Sequence, residues 1–160
     1  MAKSPPDFTK LFFKSLGGPP KPISYPLRNG PCLLHDLAFL SSLLHDARLL
    51  NPNSKPSRGK LALQLHRDCW ELVPIRKAKR LKLHTAHSTL TCQGVRQLTW
   101  HLPPTTPAEP WINHLWIDDA YRTDNDFHLY LKGHTWSCAL LLNHEKWSVT
   151  LQDQEIPQLR

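Results

Sequence analysis

Several patterns are missing from this sequence, and each absence removes a class of protein. No apolar run approaches the ~18–20 residues that a membrane helix needs. The N-terminal stretch MAKSPPDFTKLFFKSLGG is basic, but Lys10 and Lys14 interrupt its apolar part. A secretory signal wants about 7–15 uninterrupted apolar residues, so none is read here and a cytoplasmic protein is expected. No P-loop, GxGxxG or GxSxG string occurs, so neither a phosphate cradle nor a nucleophile elbow is present. The four cysteines, Cys32, Cys69, Cys92 and Cys138, show no CxxC, CxC or zinc-like spacing. Three of them sit in apolar, strand-like runs. They read as small buried hydrophobes of a reducing compartment.

What is present is an ordinary globular composition, 40% hydrophobic and 21% charged over 160 residues, enough for one core. The formal charge of +7 is unevenly spread. Residues 55–82 hold Lys55, Arg58, Lys60, Arg67, Arg76, Lys77, Lys79, Arg80 and Lys82 against Asp68 and Glu71, whereas residues 101–160 carry eight acidic and four basic side chains. Such a charge dipole can steer an acidic partner to one side, or the basic run can simply be a solvated turn.

Residues 1–31 contain seven of the prolines and three of the six glycines. Proline lacks the backbone donor and fixes φ, so this stretch reads as a proline-rich tail or extended arm, with a short amphipathic helix over 8–16. Residues 32–160 read as a single α+β domain. Leu33, Leu37, Leu40 and Leu44 recur at helical steps, and Leu34, Phe39 and Leu43 broaden the face into that of a well-buried helix. Asn51-Pro52 ends the run, with Ala47–Leu50 already able to extend.

Beyond it the period changes to two. Leu61, Leu63, Leu65 and Cys69 share one face, with Gln64, His66 and Asp68 on the other. The same alternation marks RLKLHTA, STLTCQ, VRQLTWHL, WINHLWID, FHLYLKG, TWSCALLL and WSVTLQ. Gly94 is a bulge or turn, and PPTTPAEP (103–110) is a loop. Short connections argue for antiparallel pairing, and no crossover helices serve a parallel sheet. The expected fold is α+β, mainly β: a curved antiparallel sheet or partial barrel of six to eight strands packed on one helix in the N-terminal half.

Candidate chemistry is sparse. LLHD occurs at 33–36 and 43–46, and an HD pair resembles the metal dyad of HD-type phosphohydrolases. Ten residues along a helix leave the two pairs about 80° and ~15 Å apart, so they cannot share one metal. The structural alternative puts Asp36 on free N–H groups at the helix start and His45-Asp46 at its end. Asp118, Asp119, Asp124 and Asp126 gather near a turn, but the calcium-loop glycine is replaced by Phe127. A hairpin turn with local side-chain bonds explains them. His84 and His87 are three apart, on opposite faces of a strand. No catalytic residue, metal or cofactor is therefore expected.

The string RDCWEL (67–72) sets charges around Cys69 and Trp70. It reads either as an Arg–carboxylate contact to a neighbouring strand or as a partner-binding edge, since Trp and Arg are enriched at interface hot spots. The partner-binding candidates are Arg67, Trp70, Arg76, Lys77, Lys79, Arg80 and Trp116. An unidentified protein is the favoured partner. Nucleic acid is the alternative, through the basic 76–82 stretch with nearby Trp70 and Trp100 as stacking platforms. No membrane partner is expected.

The succession LLHDARLL, LALQLHRDCWEL, STLTCQGVRQLTW, INHLWIDDAYR and FHLYLKGHTWSCALLL resembles small uncharacterised bacterial α+β proteins with an LHDA-type segment. Some of these are grouped with immunity proteins of polymorphic toxin systems. The resemblance covers roughly residues 33–152 and implies a small non-enzymatic interaction module.

Ten histidines also set a pH dependence. Protonating all of them would take the formal charge from +7 to +17, and self-repulsion then opposes the compact state. The melting temperature is expected to be lower at pH 5 than at pH 7.5; equal values would contradict this.

Overall fold

The computed structural model describes residues 19–72, 75–77, 80–103 and 114–159. The helix expected over 8–16, most of the 103–110 loop, Lys79 and Trp111 lie outside the described residues. The elements run β1 (Ser24–Pro26), α1 (Leu33–Leu43), β2 (Ala47–Leu49), β3 (Lys60–Asp68), β4 (Ile75–Lys77), β5 (Arg80–Lys82), β6 (His84–Gln93) and β7 (Val95–His101). They continue with β8 (His114–Arg122), β9 (Asp126–Lys132), β10 (Ser137–Asn143), β11 (Ser148–Asp153) and β12 (Gln158–Leu159). Ten strands make one antiparallel sheet, ordered β1-β11-β6-β3-β2-β8-β9-β10-β7, with β12 against the start of β6. The order has two ends, so the sheet is not closed. No described helix is long and apolar enough to cross a membrane.

The α+β, mainly β expectation is met, with more strands than the six to eight counted from periodicity. The additional ones are two or three residues long, too short for alternation to register. Alternation does its work in the long strands. Leu61, Leu63 and Leu65 of β3, Leu90 and Cys92 of β6, Phe127, Leu129 and Leu131 of β9, and Leu140 and Leu142 of β10 all turn inward to one core. Fully burying a leucine in this way contributes about 1.5–3 kcal/mol. The helix closes the core with Leu33, Leu37, Leu40, Leu43 and the following Leu44. Leu34, expected to widen that face, is instead 78% exposed. A bulge in β8 between Ile117 and Asp119 shifts its register against β9.

The helix ends at Leu43, and Ala47–Leu49 is already a strand, as the proline after Asn51 suggested. Asp36 does not cap the helix start. Its carboxylate accepts bonds from Tyr25 Oη (3.0 Å), Arg28 N (3.1 Å), Arg28 Nε (2.9 Å) and Arg28 Nη2 (2.9 Å). Burial pushes this carboxyl up, but the bonds from Arg28 and Tyr25 outweigh it and hold the group below its ordinary range. A carboxylate lowered in this way adds stability above its unfolded pKa and loses it as pH falls through the folded value. The same contact fastens the end of the proline-rich stretch to the domain. There β1 pairs with β11 as an edge strand, where proline is tolerated, and Tyr25 and Leu27 are buried.

Gly94 joins β6 to β7, but the two strands do not pair with each other. The first pairs with β3 and β11, the second with β10. The residue is a corner at which the chain leaves one half of the curved sheet for the other. Its φ is +77°, and a Cβ there would lie 3.0 Å from the Lys146 carbonyl oxygen. Gly94→Ala is expected to lose about 1–3 kcal/mol of stability in urea denaturation, from the left-handed backbone and the crowding together. Wild-type stability would contradict the corner's role.

Candidate functional site

Arg67 falls in phase with Leu65 and Cys69, on the inward side of β3, and is completely buried. It is therefore corrected as a partner-binding residue, because it offers a partner no surface. Its Nε and Nη2 donate to Asp153 Oδ1 and Oδ2 of β11 at 2.9 and 2.8 Å. Its Nη1 and Nη2 donate to Glu71 Oε2 and Oε1 at 3.0 and 2.6 Å. Burial alone would lower the guanidinium's pKa, but the bonds it donates to Glu71 and Asp153 outweigh this and raise it above the ordinary value, so it stays charged. Asp153 also accepts from Ser88 Oγ (2.7 Å) and Ile23 N (3.1 Å). Of the two readings of RDCWEL, the Arg–carboxylate contact is the one found, reaching across β6 to the next strand but one.

The basic stretch divides differently. Arg76 and Lys77 lie on β4 and Arg80 on β5, and these two strands pair only with each other, outside the large sheet.

The tryptophans sort themselves by environment. Trp136 and Trp147 are buried, the latter stacked on Phe127 at 4.2 Å. Trp100 packs against the core and donates Nε1–H to the Ser54 carbonyl at 2.8 Å. Its ring is partly buried. Among the described tryptophans Trp70 and Trp116 remain, and both stand near the helix end. Trp70, 37% exposed, donates Nε1–H to the His45 carbonyl at 2.8 Å and sets its ring 5.7 Å from the His45 imidazole. Trp116 lies on β8, one residue from Leu115, which pairs with Ala47 of β2.

Trp116 borders an open cleft of about 550 Å³, lined also by Ser41, Ser42, His45, Asp46, Leu115 and His134; Trp70 does not line it but packs against His45, which does. The end of α1, the residues just after it, β8 and the β9–β10 turn build it. His45 Nδ1 sits 3.1 Å from Asp46 Oδ1, and the His134 ring meets Trp116 edge-on at 5.7 Å. Asp46 has a left-handed backbone, φ +63°, which an aspartate tolerates and which turns the chain from helix into β2. The second LLHD thus ends a helix, as its structural reading held, and also walls a cleft. Periodicity gave no sign of His134 or the two serines. The histidine–aspartate pair immediately after a helix end was the available signal.

Little here is arranged for reaction. The Ser42 hydroxyl donates to the Ala38 carbonyl (3.0 Å), and among the described residues His45 is joined to Ser42 through the backbone, N–H to carbonyl at 3.3 Å, and not through the hydroxyl. Burial pushes the Cys69 and Cys92 thiols up to about 12 and that of Cys138 higher still, so they stay protonated and poor nucleophiles at neutral pH. Of the acidic patch, Asp118 and Asp119 lie in β8 and Asp126 opens β9. The turn between is closed by Thr123, whose N–H and hydroxyl both bond the Asp126 carbonyl. Among the described residues no group of three or more potential ligands could hold a metal ion.

A polar cluster lies on the β2–β3–β6 face. Arg48 Nη2 donates to His66 Nδ1 at 2.8 Å, and the His66 and His87 rings are 5.0 Å apart. A guanidinium cannot accept, so Nδ1 must be unprotonated here.

Compared with known proteins, the chain matches no family model, no curated protein and no solved structure.

Removing Arg67 would leave two carboxylates facing each other in the interior. Arg67→Ala is expected to cost about 3–5 kcal/mol in urea denaturation, because truncating one partner strands buried charge. A loss below about 1 kcal/mol would show that the network is not closed as described.

Proposed function

We propose that this chain is a non-enzymatic protein-interaction module whose docking site is the cleft at the end of α1, with Trp70 and Trp116 as its aromatic anchors. One observation carries the reading: of the described tryptophans, the two outside the core stand at one cleft, Trp116 lining it and Trp70 packed on His45 at its margin. Large, rigid rings at the margin of a concave surface are the side chains that dominate interface energetics. The charge-rich segment 76–82 steers the partner, and the aromatic cleft retains it. A small immunity-type protein neutralising a toxin is one specific form of this role.

A second reading, nucleic-acid binding, is favoured by the separate two-stranded β4–β5 sheet, since a basic β-ribbon can enter a major groove.

The full-length chain used as bait in its host's lysate, with and without nuclease, distinguishes the two. A protein partner that survives nuclease and is weakened about tenfold or more by Trp116→Ala, and likewise by Trp70→Ala, is the expected result. Capture indifferent to both substitutions would overturn the docking site. Recovery of nucleic acid, lost steeply between about 50 and 200 mM salt, would favour the ribbon instead.

A further inference from the structure

The chemistry of the cleft specifies what it receives. We propose that it takes the side chain of an arginine from the partner protein; the inference rests on reading the cleft as the docking site.

Three features converge on a cation. The lining holds one carboxylate, Asp46, and neither lysine nor arginine. The cleft also opens at the C-terminal end of α1, where the macrodipole places partial negative charge, and the last turn of this helix contains no basic residue to offset it. Finally, Trp116 supplies an aromatic face, the best side-chain platform for a cation.

The shape of the lining selects arginine over lysine. The Trp116 ring provides the apolar wall for the methylene stem, Leu115 beside it being turned into the core. A planar guanidinium can stack on the indole while its fork reaches a carboxylate one register position away, which a compact ammonium cannot do. Ala47 pairs with Leu115, so Asp46 and Trp116 are neighbours across the β2–β8 junction. Lys132 opposes Trp116 across β8 and β9, but it is exposed and does not line the cleft.

The test uses the full-length chain at pH 7.5, to keep imidazole charge low. A blocked Gly-Arg-Gly peptide and its citrulline twin, which has the same shape without the charge, are titrated while the indole N–H signals are followed by NMR. The Trp116 signal is assigned with Trp116→Phe. The arginine peptide is expected to shift that signal and to bind about fivefold tighter than the citrulline peptide, the scale of one exposed ion pair plus one cation–π contact. Asp46→Asn, which keeps a residue tolerant of the left-handed backbone, is expected to abolish the difference. Equal affinities, or no movement of the Trp116 signal, would overturn the proposal, and the peptide comparison requires no variant to fold.

Capture of the natural partner separates this inference from the one beneath it. A partner lost with Trp116→Ala but fully retained with Asp46→Asn would leave the docking site standing and refute the arginine. A partner indifferent to both would refute the docking site itself.

Discussion

The buried guanidinium of Arg67 is the constraint around which the described structure is organised. It lies on the inward face of β3, paired in a fork with Asp153 of β11 and in a second with Glu71. Asp153 in turn accepts from Ser88 of β6 and from the backbone of Ile23, just before β1. Four stretches of chain far apart in sequence therefore meet at one charge. A hydrophobic replacement of similar volume could be as stable, since desolvation offsets most of the Coulombic gain. What the network adds is definition: a register slip of one residue in β3 would turn Arg67 to the outer face and leave Asp153 buried without it.

The remainder follows from an apolar sheet face that has to be covered. The sheet curves, Gly94 lets the chain cross from one half to the other, and α1 fills the space between. The helix must then end where β2 begins, and the left-handed Asp46 makes that junction. The cleft is a product of this geometry. Helix end, strand β8 and the β9–β10 turn converge there because β2 bridges the two halves of the sheet through its pairs with β3 and β8. The outward-facing aromatic rings at that junction are the surplus left once the core is filled.

How much of this could be read from the sequence depended on the length of each signal. Strands of six to ten residues declared themselves by alternation, and the single described helix by its leucine steps. Strands β1, β2 and β12 did not, because two or three residues carry no period. The inward turn of Arg67 was legible: the same odd-numbered face as Leu61, Leu63 and Leu65 includes position 67. The charge of an arginine argued for the surface, and only the carboxylates waiting at 71 and 153 reverse that argument. No local pattern announces a partner 86 positions away. Trp70 and Trp116 were named as candidates, but the approach of Trp116 to the helix end, where Trp70 packs on His45, depends on the β2–β8 pairing, a long-range contact invisible to periodicity. Leu34 shows the opposite failure, a residue of core type left facing solvent by the pitch of the helix.

The RDCWEL string thus parts in the fold: Arg67 is consumed inside it, whereas Trp70 stays half-exposed beside the helix end. The most direct test of that division is the NMR behaviour of the Arg67 side chain. Held by two carboxylates without solvent contact, its Nε–H should give a sharp signal at pH 7.5, slow to exchange with water and coupled through space to Ser88 and β11. A signal lost to rapid exchange, like those of solvent-exposed arginines, would place Arg67 at the surface and contradict the account.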